Sequence, residues 1–414
     1  MTMECYLRDL IAVSKDGEWG KGEPFDDSVE MLAIRGTDFE AIRFGVTTST
    51  PRRQIAKRHA DRKLLQPWDV IIEVAGGTKD QITGRTVLLR PRLFSRSDIP
   101  FTCASFSRFI RFNNALCDPA FMFWYLQHLY ASGSMHAYHT QHTGVARFQW
   151  TTFSEREPLF LPPLPIQRRI ADILSAYDEL IENNQRRITI LESMARALYR
   201  EWFVHFRFPG HESVPRLPSP LGDIPQGWKV SKLQDACDLT MGQSPKSEFY
   251  NETGEGQPFH QGVTNFGARF PTDRLFCTAQ GRVAEAGDIL FSVRAPVGRM
   301  NIADKRIILG RGLSAIRHKA SYQAFLWEQL RDRFTSDDMI GNGSIFAAVT
   351  KDEMQGIALL CPPSPLVVEA TKYFEPLHAE LGVLTMKIRV LRRTRDLLLP
   401  RLLSGQIDVE AIAT

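Results

Sequence analysis

Residues 162–203 read PPLPIQRRIADILSAYDELIENNQRRITILESMARALYREWF, and after the opening prolines this stretch runs about forty residues without Pro or Gly. Apolar residues recur at Ile166, Ile170, Ile173, Leu174, Tyr177, Leu180, Ile181, Ile188, Leu191, Ala195, Leu198 and Trp202. That spacing predicts one amphipathic helix whose apolar stripe is wider than a strict coiled-coil seam. At about 1.5 Å per residue it would extend on the order of 60 Å, too long for an ordinary core helix. It therefore needs a partner helix or serves as a spacer.

The partner lies 200 residues on. Cys361-Pro362-Pro363-Ser364-Pro365-Leu366 answers Leu161-Pro162-Pro163-Leu164-Pro165-Ile166, and the same offset pairs Tyr177 with Leu377, Ile181 with Leu381, Ile188 with Ile388, Leu191 with Leu391 and Leu198 with Leu398. A repeat of this kind predicts two helices of similar length with matched stripes. They are expected to pack antiparallel, with a seam of Ile170, Tyr177, Ile181, Ile188, Leu191, Leu198, Leu377, Leu381, Leu384, Ile388, Leu391 and Leu398. Asn184 and Arg187 interrupt the first stripe, either fixing register or facing solvent.

Each long helix follows a globular segment. In the first, residues 1–161, β-rich runs fall at Ile42–Thr48, Asp69–Val74, Thr86–Leu89 and Phe106–Phe112. A helix over Pro119–Tyr130 follows, with Asp118 as its N-cap. After the central helix (162–205), the Pro- and Gly-rich residues 206–227 predict an extended linker. The second globule, 228–361, has strands at Asp288–Val293, Ile307–Leu309 and Leu313–Arg317 and a helix over Tyr322–Phe334; the second long helix and tail occupy 362–414. WDVIIEV (68–74) resembles GDILFSV (287–293), so the globules repeat as well. The fold class is thus α+β: two globules and two long helices with an internal pseudo-two-fold repeat.

Composition bounds the function. The chain has 414 residues, 43% hydrophobic and 24% charged, enough for two or three folded domains. It has no apolar run long enough to cross a bilayer and no signal-peptide layout. Its six scattered cysteines read as reduced thiols, which predicts a cytoplasmic location. The net charge of +4 permits a nucleic-acid partner without requiring one. No GxxxxGK[ST], HExxH or GxSxG occurs, and both double prolines lack the preceding Asp or Asn of amino-methyltransferases. Gly310-Arg311-Gly312 and Gly341-Asn342-Gly343 do not complete a dinucleotide fingerprint. His136, His139 and His142 could suggest a metal, but their spacing does not put all three on one helix face; a polar loop is the expectation, and no metal site is assigned.

The remaining chemistry is basic and amide side chains. Arg52, Arg53, Lys57 and Arg58 open a cluster, PRRQIAKRHADRK, suited to phosphates and base edges; a solvated helix is the competing interpretation. Arg85 is a separate candidate. In the second globule the candidates are Gln243, Ser244 and Lys246 in MGQSPK, then Gln261, Asn265 and Arg269, and the loop residues Arg294 and Arg299. Gln, Asn and Arg pair bidentately with A and G. Gly242-Gln243-Ser244-Pro245 could equally be a structural turn.

LPPLPIQRRIADILSAYDELIENNQRRITILESMARALYREWFV, LGDIPQGWKVSKL, MGQSPKSEFYN, AGDILFSVRAPVGRMNIAD and LLLPRLLSGQIDV together resemble the specificity subunits of type I restriction–modification enzymes, over essentially the full length. The resemblance implies two target-recognition domains, each reading half of a bipartite duplex target, and a helix pair acting as a ruler between them. It implies a non-catalytic subunit that binds no cofactor; S-adenosylmethionine, ATP and Mg²⁺ would belong to its partners. Those would be two methyltransferase (M) and up to two restriction (R) subunits. Two domains reading one face of DNA would lie about 35 Å apart, a distance a helix of about 60 Å can bridge. The first globule lacks a clear counterpart of Gly242-Gln243-Ser244-Pro245. A coiled-coil scaffold without base-specific DNA binding is the alternative.

Overall fold

A computed structural model describes residues 3–77, 81–141, 145–220, 222–334 and 348–411. Gly341-Asn342-Gly343 and His142 lie outside them. The chain divides into two units, Met1–Asn183 with Ile388–Thr414 and Asn184–Lys387. The division crosses both long helices, whereas the sequence suggested cuts at 161/162 and 361/362. The physical reason is burial: Ile170, Ala171, Leu174, Leu399 and Leu402 belong to the core of the first globule. Val367, Ala370 and Phe374 share a core with Phe325 of the second. Each fully buried Leu or Phe contributes about 1.5–3 kcal/mol by leaving water.

The first unit is built on an antiparallel sheet of β1 (Ile11–Asp16), β2 (Val70–Glu73), β3 (Thr86–Leu88) and β4 (Ser107–Phe112), ordered β1-β4-β2-β3. In the second unit β5 (Cys237–Met241), β6 (Ile289–Ser292), β7 (Met300–Ile302) and β8 (Leu313–His318) repeat that order as β5-β8-β6-β7, again antiparallel. The Asp residues noted before β2 and β6 do the same work twice. Asp69 accepts from Gln66 N (2.7 Å) and pairs with Arg111 of β4 (2.7 Å); Asp288 accepts from Glu285 N (2.8 Å) and pairs with Arg317 of β8 (2.5 Å). Behind each sheet packs a helix, Pro119–Ala131 and Gln323–Phe334. Asp118 caps the first, accepting from Phe121 N at 2.8 Å.

The central helix spans Leu164–Tyr199 and ends in a π turn, Arg200–Val204; the C-terminal helix spans Ser364–Leu403. Within the second unit they run antiparallel, with Arg187 paired to Glu380 (2.6 Å) and the Trp202 and Tyr373 rings 5.8 Å apart. Buried positions keep the 200-residue offset: Ile170/Ala370, Leu174/Phe374, Asp178/His378, Ile181/Leu381, Asn184/Leu384 and Tyr199/Leu399. Of the expected seam, Ile170, Ile181, Leu381 and Leu384 are fully buried. Tyr177, Ile188, Leu191, Leu198, Leu377, Ile388, Leu391 and Leu398 are half-buried, because the most enclosed line passes through the polar pair Asp178 and His378.

Two local expectations are corrected. Ile42–Thr48 is not a strand: Phe39–Arg43 is a short helix that buries Phe39 and Ile42, and the chain turns at Gly45 with φ +72°. Residues 206–227 are not a bare linker, because Phe208 and Ile224 are buried in a cluster with Phe203 and Trp228. Arg216–Leu217 also pairs there with Ile224–Pro225. No helix among the described residues is long and apolar enough to cross a membrane.

Candidate nucleic-acid interface

One end of each sheet gathers candidate side chains. In the second unit it is formed where β5 and β6 finish and β8 begins: Gly242 N donates to Leu313 O (2.9 Å) and Val293 N to Gly312 O (2.9 Å). Gly242 is there for space, since a Cβ would sit 2.2 Å from Gly310 O. The following turn is pinned by Gln243 N to Leu309 O (2.9 Å) and by Arg311 N donating to Ser244 Oγ (3.1 Å). Gly312 N reaches Gln261 O at 3.0 Å. Gln243, Ser244 and Gln261 are thereby brought together, along with Arg311, an exposed residue that sequence reasoning passed over as part of a glycine fragment. Lys246 is exposed nearby, 3.8 Å from Glu248, and Asn265 is half-buried, its carbonyl accepting from Thr272 N.

The β6–β7 loop presents the two arginines. Ser292 Oγ donates to Pro296 O (2.7 Å) and accepts from Arg299 N (2.8 Å). Gly298 has φ +86°, and a Cβ there would lie 3.3 Å from Phe334 Cβ. Arg294 and Arg299 project from this clamped loop into solvent, and neither guanidinium has a partner among the described residues. Arg294 also forms an isolated antiparallel bridge with Ala348.

Arg269 is not part of this surface. It is 7% exposed, its Nη2 donates to His378 Nδ1 (2.9 Å), and its guanidinium lies 5.6 Å from the Trp327 ring. Because guanidinium only donates, His378 carries its proton on Nε2 and gives it to Glu328 Oε1 (2.9 Å). Glu328 also pairs with Arg331 at 2.6 Å. Burial lowers the Arg269 pKa to about 10, leaving it a cation at neutral pH. The residue ties the second globule to the C-terminal helix.

The first unit has an equivalent dock at the position 200 residues earlier. Asp178 pairs with Arg43 (2.7 Å), Arg395 (2.6 Å) and Arg90 (3.6 Å), while Glu182 pairs with Arg92 and Arg96. Burial raises the Asp178 pKa, but Arg43 and then Arg395 outweigh it and hold the carboxyl below its ordinary value.

The corresponding sheet end of the first unit matches the second in backbone detail. Gly17 N donates to Ser107 O and Val74 N to Phe106 O, both at 2.9 Å, and a Cβ on Gly17 would meet Cys103 O at 2.1 Å. Gly17-Glu18-Trp19 is therefore the structural counterpart of Gly242-Gln243-Ser244, hidden from sequence because only the glycine is shared. The basic cluster flanks this loop, as strand Arg52–Ala56 and helix Lys57–Lys63 rather than one helix. Arg53 is committed, donating to Trp19 O (3.0 Å) and Gly20 O (3.2 Å) and stacking 4.5 Å over the Trp19 ring. Arg52 meets Glu30 at 3.4 Å. Lys57 and Arg58 are exposed and unpaired among the described residues. Arg85 is held bidentately by buried Glu73 (2.6 and 2.9 Å), which cancels its charge. His139 accepts from Thr83 N at 3.2 Å, and no metal-holding group of His, Cys, Asp or Glu occurs among the described residues.

Residues 93–193 and 225–382 match the family described as the type I restriction modification DNA specificity domain. A relative from Methanocaldococcus jannaschii, named for the MjaX type I restriction enzyme specificity subunit, is 32% identical over 254 residues, 60% of this chain and 59% of that one. The chain thus spans about three fifths of that relative's length. The MjaIX specificity subunit of the same organism is 24% identical over 328 residues, 73% of each chain. The crystal structure of a type I restriction-modification system S subunit from M. genitalium shares the fold, with TM-score 0.60, 18% identity, and 97% of this chain and 96% of that chain covered.

Proposed function

Since the chain belongs to the family of type I restriction modification DNA specificity domains, we propose that it is the sequence-recognising subunit of a restriction–modification complex. Each unit reads one half of a bipartite duplex target, and the two long helices set the distance between the halves. The observation that carries this is the same sheet end built twice, with matching hydrogen bonds from Val74 to Phe106 and from Val293 to Gly312. On the second copy, Gln243, Gln261, Arg294, Arg299 and Arg311 offer side chains of the types that pair with base edges and phosphates.

The chain performs no catalysis in this reading. S-adenosylmethionine, ATP and Mg²⁺ are taken by partner subunits, two M and up to two R. The M subunits dock on the outer helix faces, where Ile190, Met194 and Val383 of the second unit and Leu180, Val390 and Leu397 of the first stand exposed. In cells carrying this chain with its partners, sequencing of methylated DNA is expected to return two short half-sites separated by unread bases of fixed number. Arg294→Ala should relax one half-site and spare the other. Methylation that is unchanged when the gene for this chain is deleted would refute the assignment.

A further inference from the structure

The short stretch Val145–Gln149 in the first unit alternates strictly: Val145, Arg147 and Gln149 are exposed, Ala146 and Phe148 buried. Its backbone is fixed to the end of β2. Phe148 N donates to Val74 O (2.9 Å), Gly76 N to Ala146 O (3.1 Å), and Ala75 bridges Arg147 as Arg294 bridges Ala348 in the other unit. Phe148 is anchored against Phe153, ring centroids 5.1 Å apart. With alternate side chains locked inward, the other three project together from the opposite face.

They border an open groove of about 790 Å³ whose other edge is Phe106. Phe106 is 58% exposed and Val145 53%, two apolar side chains left in water on one groove. Arg108 in the groove is already spent, paired with Asp16 at 2.8 Å and lying 5.4 Å over Trp150. Arg147 and Gln149 have no side-chain partner among the described residues. Arg147–Phe148 also pairs antiparallel with His139–Thr140, giving a narrow two-stranded ribbon. The major groove of duplex DNA admits such a ribbon. Arg suits the G edge, Gln the A edge, and apolar side chains the thymine methyl.

We propose that Val145–Gln149 is the base-reading strand of the first unit, with Arg147 and Gln149 on base edges and Phe106 and Val145 against thymine methyls. This rests on the DNA-recognition reading above and assigns the half-site that the basic cluster at Arg52–Lys63 does not explain. Lys57 and Arg58, the exposed and unpaired members of that cluster among the described residues, contribute phosphate contacts.

The test selects duplexes from a randomised pool with the full-length chain assembled with M subunits, carrying either the wild-type sequence or Arg147→Ala, Gln149→Ala or Arg294→Ala, at two salt concentrations. Arg147→Ala and Gln149→Ala are each expected to relax preference about ten- to a hundredfold at one or two positions of one half-site. Arg294→Ala should relax only the other half-site. If Arg147→Ala weakens every sequence equally and lowers the salt slope by about one, Arg147 is a phosphate contact and the inference falls. It falls too if only Arg294→Ala alters selection, while the DNA-recognition reading then stands. If the wild-type assembly selects no sequence, that reading fails first.

Discussion

Asp178→Ala is expected to lower the stability of the first unit by about 3–5 kcal/mol, the usual cost of removing one partner from a buried charge network. Asp178 is 1% exposed and holds Arg43, Arg90 and Arg395, so its loss strips Arg43 of its carboxylate and leaves Arg90 and Arg395 only the exposed Glu179 and Asp396. For a unit of this size, a thermal transition lower by about 10 °C follows. The pH dependence carries a sign. The folded-state pKa of Asp178 is lowered, so its contribution is full above the unfolded value near 3.9 and is lost as pH falls through the lowered one. Circular dichroism melts at neutral and acid pH check both points; a variant melting within a degree of wild type at pH 7 would show that Asp178 does not dock the helices.

Arg269→Ala is expected to destabilise the second unit by about 2–4 kcal/mol while leaving base preference unchanged. The substitution strips His378 Nδ1 of its donor and removes a guanidinium packed on Trp327. Arg294→Ala should do the reverse, with little effect on melting and a loss of discrimination. Parallel melts and duplex-binding titrations of the two variants separate the roles. A stable Arg269→Ala chain with relaxed base preference would return Arg269 to the interface.

The repeat was legible because the double prolines and the apolar stripe survive at a constant offset, and because Asp69 and Asp288 open equivalent strands. Periodicity was a weaker guide where polar residues are buried. Asp178 and His378 occupy the most enclosed line of the helices, yet an apolar count passes to Tyr177 and Leu377. Arg269 was misplaced since type and exposure are independent; only tertiary packing turns that side chain inward. Val145–Gln149 is hard to read as a strand from sequence because it has only two inward residues, Ala146 and Phe148, too few for period-two alternation to show. Gly17 takes the place of Gly242, but Glu18 and Trp19 share nothing with Gln243 and Ser244 beyond their backbone path, so the loop has no signature in the sequence.

If the helices fix a distance on DNA while the units choose the bases, lengthening both helices must move the half-sites apart. Both helices pass from one unit to the other at 183/184 and 387/388. Inserting four helix-forming residues at each of those points adds about 6 Å. Mapping the methylated target of cells carrying that variant tests the claim directly. The unread spacer is predicted to lengthen by about one to two base pairs, with both half-sites unchanged. A target with altered half-site bases, or with the original spacer intact, would contradict it.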